Sequence, residues 1–413
     1  MIPINDLKPG MTTGRDVLNN RNQILIPRGT IIALPHLRAL KIWGIESVLV
    51  LDKTGEPHPS KENTGTRSQH KKEIMDNIKQ LFCRVYTKPP HPVIKIIIPI
   101  CADKLALQPD RALSGKIFDK KSGPQTFENN GVPNLKLSDV IRKTKDLFSL
   151  PDIHNQLTEA IHNPYSSAAD IARVVGRDPG LTARLLRIVN SAFYGFPSKI
   201  ESVAQGVTIL GTKELCDLAL ATSVIQVFDD ALKGVVDMMR FWHHSIGCGI
   251  LAKKLALSRN ETSVERFFVM GILHDVGRLI LFSQASTEMS MVLQTASDTK
   301  EPTYRVEKKM LGFSHADLGH ALLKEWRLPV TYQEAILYHH TPTRARRFRL
   351  ETAIVHVADM LSSAMCMGNS GSTVISGFDH AAWDLLEIDP TFLPQIIQTS
   401  EQEINDLISI FKD

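Results

Sequence analysis

The dipeptide His274-Asp275 sits in a predicted helix that is otherwise apolar, Phe267-Phe268-Val269-Met270-Gly271-Ile272-Leu273-His274-Asp275-Val276-Gly277. Burying two ionisable groups there is costly unless they are paired or hold a metal ion. Other groups of the same kind follow a helical spacing. His244 shares a face with Cys248, Leu251 and Leu255, whereas its neighbour His243 falls with Gly247, Ile250 and Lys254. His315 follows the candidate cap Ser314 and opens the stripe Leu318, Leu322, Trp326. His339-His340 close a helix whose inner face is Tyr332, Ala335 and Ile336, and Asp359 lies in the apolar helix Ala353 to Leu361. Each imidazole alone fits a hydrogen-bonded core residue. The whole set on inward faces favours a metal site. Imidazole and carboxylate without thiolate suit iron, manganese or zinc, and a carboxylate can bridge, so one or two ions are chemically reasonable.

Two further clusters could bind other ligands. Arg344, Arg346, Arg347 and Arg349 follow the His339-His340 pair and could clamp an anion, or form a solvated loop. The aromatics of Ser191-Ala192-Phe193-Tyr194-Gly195-Phe196-Pro197, with Trp242 and Trp326, fit core and turn packing better than a base-stacking platform. Nucleic acid is therefore a disfavoured partner.

The elements that must position these groups are helices. Beyond Leu137 the periodicity is helical almost to the end, and the region reads as all-α. Asn163-Pro164 ends one helix, Ser166 or Ser167 can cap the next, and Asp178-Pro179 places a cap and a first-turn proline ahead of Gly180 to Asn190. Residues 1–52 differ. Their alternation, with turns at Pro9-Gly10, Asn19-Asn20 and Arg28-Gly29, predicts a small β-rich module with one helix and a closing strand at Glu46 to Leu51. Residues 53–136 are polar and punctuated by Pro and Gly; they read as a linker region with a helix near Lys71 to Val85, an apolar patch at Val93 to Ile100, and flexibility around Gln108 to Pro133.

The chain has 413 residues, 43% of them hydrophobic, enough for two or three domains with one large core. Its formal net charge of +4 advertises neither a nucleic-acid nor a membrane-surface protein. The five cysteines form no CxxC pair and suggest a reducing compartment. The N-terminus MIPINDLKPG lacks an apolar signal core, so the expectation is a cytoplasmic protein without membrane insertion.

The segments LPDIHNQLTEAIHNP, RDPGLTARLLRIVNSAFYGFP and IESVAQGVTILG, followed by FWHHS, GILHDVGRLIL, FSHADLGHALLKEWRLP, ILYHH and VHVADML, resemble the HDOD domain, a helical relative of the HD phosphohydrolases. The resemblance covers about residues 137–365, with an HD core at about 240–365; residues 366–413 read as a C-terminal helical extension beyond it. The stretch LKPGM…ILIPRGTII…LRALKIWGIESVLV resembles a short module found ahead of HD-GYP and HDOD domains. Such a resemblance implies a multi-helical HD core preceded by a helical subdomain, used in bacterial signal transduction as an output or interaction module. It also implies a partner that is a signalling protein or a nucleotide second messenger. Many HDOD domains have lost metal ligands, but this ligand pattern resembles the full set of the HD-GYP phosphodiesterases. The GYP triplet is missing, since Thr341-Pro342-Thr343-Arg344 follows His340, and Arg278 stands where that family has Lys.

Three readings result. The first is a regulatory protein whose HDOD domain is an output or interaction module with a metal site at His244, His274, Asp275, His315, His339, His340 and Asp359. The second is a metal-dependent phosphohydrolase acting on a nucleotide or cyclic dinucleotide. There Asp275 would bridge metals or accept a proton, and Arg278, one turn from His274, would be available to the phosphate. The third is an interaction protein with an inert polar core.

Overall fold

The computed structural model describes residues 2–3, 7–18, 24–33, 35–37, 40, 47–51, 91–107, 135–147, 156–157, 159, 167–232, 236–372, 374–375 and 377–412. The chain divides into two compact units, Met1–His70 and Lys71–Asp413. The protein is mainly α-helical, and among the described residues every strand lies in the first unit.

That first unit is a set of short antiparallel pairs. β1 (Ile2–Pro3) pairs with β5 (Ser47–Val48), β2 (Thr12–Thr13) with β6 (Val50–Leu51), and β3 (Val17–Leu18) with β4 (Ile24–Ile26). Its core is small: Leu7, Val17, Ile26, Ile32, Leu40, Val48 and Val50. The buried Thr13 hydroxyl donates to the Pro27 carbonyl at 2.7 Å and accepts from the Thr30 amide at 2.9 Å, which fixes the turn at Gly29.

The described part of the second unit is built of helices and the turns that join them. Its helices are α1 (Pro92–Leu107), α2 (Leu137–Leu147), α3 (Ala168–Val175), α4 (Pro179–Val189), α5 (Val203–Leu210), α6 (Thr212–Leu232), α7 (Met238–Ser258), α8 (Glu265–Leu273) and α9 (Val276–Gln284). They continue as α10 (Ser286–Thr299), α11 (Thr303–Leu311), α12 (His315–Glu325), α13 (Val330–Tyr338), α14 (Arg349–Ala364), α15 (His380–Leu386) and α16 (Leu393–Lys412). The starts follow local chemistry. Ser167 and Ser314 form capping boxes with Asp170 and Asp317, and the Asp178 side chain accepts from the Leu181 amide with Pro179 in the first turn. The helix end expected at Asn163-Pro164 lies outside the described residues.

Two sequence expectations are corrected. The apolar patch Val93 to Ile100 belongs to α1, whose Val93, Ile94, Ile97, Ile98, Cys101 and Ala102 are buried in the core of the helical unit, not in a linker. Those positions are helically spaced, but the internal Pro99 and the polar surroundings hide the pattern. The second correction concerns residues 267–277, which read as one continuous helix and are two, α8 and α9, with His274-Asp275 at the break. The helix near Lys71 to Val85 and the segment Gln108 to Pro133 lie outside the described residues.

Close approaches between glycines set the geometry of the centre. A β-carbon on Gly271 would stand 2.5 Å from the Gly249 Cα, so α7 and α8 touch backbone to backbone. A β-carbon on Gly277 would stand 2.0 Å from the His315 carbonyl oxygen and 2.7 Å from the Gly319 nitrogen, so α9 and α12 do the same. These two contacts bring His244 and His315 to the His274-Asp275 break from opposite sides. The Asn190–Gly195 turn joins the early helices to this core. Tyr194 donates to Glu265 at 2.9 Å, Glu265 pairs with Lys253 at 2.9 Å, and the Lys253 ammonium lies 4.0 Å and 4.2 Å from the ring centres of Phe193 and Tyr194. The apolar stretch Glu265–Gln284 would pass for a membrane span by length and composition alone, but 89% of its 18-residue apolar window is buried inside this unit.

Candidate metal centre

All seven sequence-predicted ligands converge. Their donor atoms form two groups, Asp275, His315, His339 and His340 in one and His244, His274 and Asp359 in the other, each with all donors within 4.8 Å of one another. His244 comes from α7, His274 and Asp275 from the α8–α9 break, His315 from the first turn of α12, His339 and His340 from the end of α13, and Asp359 from α14.

The two carboxylates join the groups. Asp275 Oδ2 lies 3.2 Å from His274 Nε2 and 3.8 Å from His244 Nε2, while its Oδ1 lies 3.0 Å from His315 Nε2 and 3.8 Å from His339 Nε2. Asp359 Oδ1 lies 3.2 Å from His244 Nε2 and 3.7 Å from His274 Nε2, and its Oδ2 is 3.8 Å from His340 Nδ1. Within the groups, Nε2 atoms approach to 3.3 Å (His244 and His274), 3.5 Å (His315 and His339) and 3.0 Å (His315 and His340). Donors held about 2.1 Å from one ion stand roughly 3.0–3.4 Å from each other, depending on geometry.

The partners on the far side of each ring fix which nitrogen faces inward. His274 Nδ1 donates to the Gly271 carbonyl at 2.6 Å, and His339 Nδ1 to the Ile336 carbonyl at 2.6 Å, because a carbonyl can only accept. His315 Nδ1 donates to the Glu307 carboxylate at 2.6 Å, and the same oxygen accepts the His315 amide at 2.8 Å. A carboxylate behind an imidazole is the usual support of a metal-binding histidine. His356, which the sequence did not single out, donates from Nδ1 to the His339 carbonyl at 2.7 Å and accepts the Asp379 amide on Nε2 at 3.1 Å. It braces the backbone of a ligand and is not one itself.

Electrostatics inside the cage call for positive charge. Asp275 Oδ1 is buried and accepts no hydrogen bond although His315 Nε2 is 3.0 Å away. With the His315 proton on Nδ1, a nitrogen lone pair faces an oxygen lone pair there, a repulsion that either a second proton on Nε2 or a bound cation relieves. Burial opposes the charged forms, but the Asp275 carboxylate beside it holds His274 well above the usual imidazole range, and Glu307 and Asp275 raise His315. Arg278, His274 and His315 hold Asp275 well below the usual carboxylate range, against its burial. His339 is pushed down to about 3 by burial and by the charges of His274 and His315, and burial with His339 and His315 pushes His340 well down. Neutral His339 and His340 and an ionised Asp275 are the ligand forms a transition metal requires, and His274 and His315, whose protons the carboxylates hold, would each give up a proton to an ion bound in their place; the donor types fit such an ion.

The proposed phosphate role of Arg278 is corrected. Its side chain is 1% exposed; Nε stands 3.3 Å from Asp275 Oδ1, and Nη1 donates to Ser370 O, Ser370 Oγ and Ser372 Oγ at 3.1, 3.2 and 2.9 Å. The guanidinium neutralises Asp275 and ties down the 370–372 loop, so it is not offered to a ligand. Arg344, Arg346 and Arg347 are exposed. The amides of Arg346, Arg347 and Phe348 converge on one oxygen of Glu334 at 2.7, 2.8 and 3.3 Å, so a carboxylate of the protein already fills that backbone anion nest. Sequence reasoning missed Glu307, for which the only signal was its place eight residues before His315 in a charged helix.

The sequence model of the HDOD domain matches residues 147–342. Asp359, on α14, lies beyond that match. An uncharacterised protein of Treponema pallidum (strain Nichols) is 25% identical over 242 residues, 57% of this chain and 45% of that protein, so the match spans less than half of that relative. Among solved structures, an HDOD domain protein of unknown function from Geobacter sulfurreducens is similar with a TM-score of 0.56 and 23% identity, covering 66% of this chain and 96% of that one. A candidate phosphohydrolase from Shewanella amazonensis SB2B gives a TM-score of 0.53 and 20% identity, covering 66% and 97%. A candidate signal transduction protein from Marinobacter aquaeolei VT8 gives 0.53 and 18%, covering 69% and 68%. At these identities the structural likeness establishes the fold.

Proposed function

With residues 147–342 forming an HDOD domain, we propose that this protein is a regulatory signalling protein whose HDOD domain is an output or interaction module built around one or two transition-metal ions, iron, manganese or zinc. The observation that carries the metal reading is the division of Asp275, with Oδ2 facing His274 and His244 and Oδ1 facing His315 and His339. Asp275 would bridge, His315, His339 and His340 would hold one position, and His244, His274 and Asp359 the other. A signalling protein or nucleotide second messenger is the partner class, in keeping with the candidate signal transduction protein that shares the fold.

Two observations favour regulation over turnover. The ligand side chains are 0–6% exposed, and the buried arginine nearest the centre is committed to Asp275 and to the 370–372 loop. Positioning of a phosphodiester supplies several powers of ten in rate, and Arg278 is held away from that task by Asp275 and the 370–372 loop. A metal-dependent phosphohydrolase acting on a nucleotide or cyclic dinucleotide is the second reading. It is favoured by the complete ligand set and by the fold shared with a candidate phosphohydrolase. A bound cation would there supply water activation and polarise a phosphoryl oxygen; Asp275 would accept the proton.

The two readings separate in one assay. Metal-loaded protein incubated with cyclic-di-GMP and a panel of nucleotides should give little or no hydrolysis. Turnover at an ordinary enzymatic rate, lost when His274 and Asp275 are replaced by Ala, would put the phosphohydrolase reading first.

A further inference from the structure

The cage has one corner nearer to solvent than the rest. Asp359 and His340 keep 6% and 5% of their side-chain area, against 0–3% for the other five ligands, and they face each other at 3.8 Å. An aromatic ring packs against this corner. Tyr304, half-buried at the start of α11, stacks on the His340 imidazole with centroids 4.5 Å apart and planes 20° from parallel. Its hydroxyl accepts a hydrogen bond from Arg305 Nε at 3.1 Å, an exposed side chain that steadies the ring from outside.

The same helix reaches the centre one turn later. Glu307 orients His315, whose Nε2 stands 3.0 Å from His340 Nε2. Thr303, just before Tyr304, donates to the Gly371 carbonyl at 3.2 Å and so fastens α11 to the loop that also holds Arg278. The Tyr304 and Glu307 contacts both fall on ligands of the Asp275, His315, His339 and His340 group.

We propose that Tyr304 is the gate of this centre: metal ions enter and leave past His340, and the stacked phenol ring sets the rate. The inference rests on the metal reading and on the ring stacked over His340; the hydroxyl, bonded to Arg305, is not required for it. Flat aromatic stacking of this kind is worth a few-fold in an equilibrium or a rate.

The test uses the full chain as wild type, Tyr304→Ala and Tyr304→Phe. Zinc-loaded protein is mixed with excess chelator, and release is followed by a metallochromic dye. Tyr304→Ala should release metal roughly 3- to 10-fold faster than wild type with the same stoichiometry, and Tyr304→Phe should stay within about twofold. In parallel, the metal-free proteins are treated with diethyl pyrocarbonate and the modification of His340 is read by mass spectrometry; it should rise in Tyr304→Ala alone. Equal release rates for wild type and Tyr304→Ala, or unchanged His340 modification, would overturn the gate. If no protein takes up zinc, iron or manganese, the metal reading fails, and the His340 modification still decides whether Tyr304 guards that corner.

Discussion

Gly277 and His315 stand so close that any β-carbon at position 277 would lie 2.0 Å from the His315 carbonyl oxygen. The HD dipeptide and the third histidine are thus brought together by a backbone contact that only glycine permits. Gly277→Ala must push α12 away from α9, and overpacking of a tight core typically costs about 1–3 kcal/mol. The variant should melt several degrees below wild type and bind less metal. A Tm and a metal content equal to wild type would mean that α12 shifts freely.

Glu307 supports His315 from behind through a 2.6 Å hydrogen bond. Glu307→Gln keeps the volume but not the negative charge. Loss of such a supporting carboxylate typically weakens metal affinity about 10- to 100-fold. Competition against a chelator of known affinity should read that drop, while the circular dichroism spectrum stays that of wild type.

Lys253 and Glu265 form a buried pair, both under 10% exposed, with Tyr194 as a third partner. Removing one charge from such a pair leaves the other uncompensated, at a cost of roughly 3–5 kcal/mol. Lys253→Met should therefore lose most of that amount in urea unfolding, and Lys253→Met with Glu265→Gln should recover part of it. A single variant as stable as wild type would show that Glu265 finds solvent.

Burial pushes the Asp217 carboxyl up to about 6, although it accepts a hydrogen bond from Tyr332 at 2.7 Å. A carboxyl whose folded pKa lies above its unfolded value of about 3.9 favours the folded state while protonated. That stability is complete below the unfolded pKa and is lost as pH rises through about 6. Comparing wild type with Asp217→Asn isolates it: between about pH 4 and 7 the wild type should lose roughly 2 kcal/mol more than the variant. Parallel pH profiles would mean the carboxyl titrates as in water.

Much of the centre was legible in the sequence, because helical spacing places His244, His315, His339 and Asp359 on apolar faces, and a buried polar residue is the informative exception. The caps at Ser167, Asp178 and Ser314 were legible from turn chemistry. The helix break at His274-Asp275 was not, since nothing in that apolar run marks a stop. Glu307 was hidden because its neighbours Arg305, Lys308 and Lys309 make α11 read as a solvated helix; which of its charges turns inward depends on α12, far from any local signal. Arg278 was misread for the converse reason: its distance from His274 along the helix is local, but its burial comes from Ser370 and Ser372, some ninety residues away.

The most direct test of the central reading is elemental analysis of protein purified without chelator and then reconstituted in turn with iron, manganese and zinc. A stoichiometric transition metal, removed by His274→Ala with Asp275→Ala in a protein that still folds, is the predicted result. Wild-type protein that stays metal-free in all three reconstitutions would contradict it and leave the seven residues as an inert polar core.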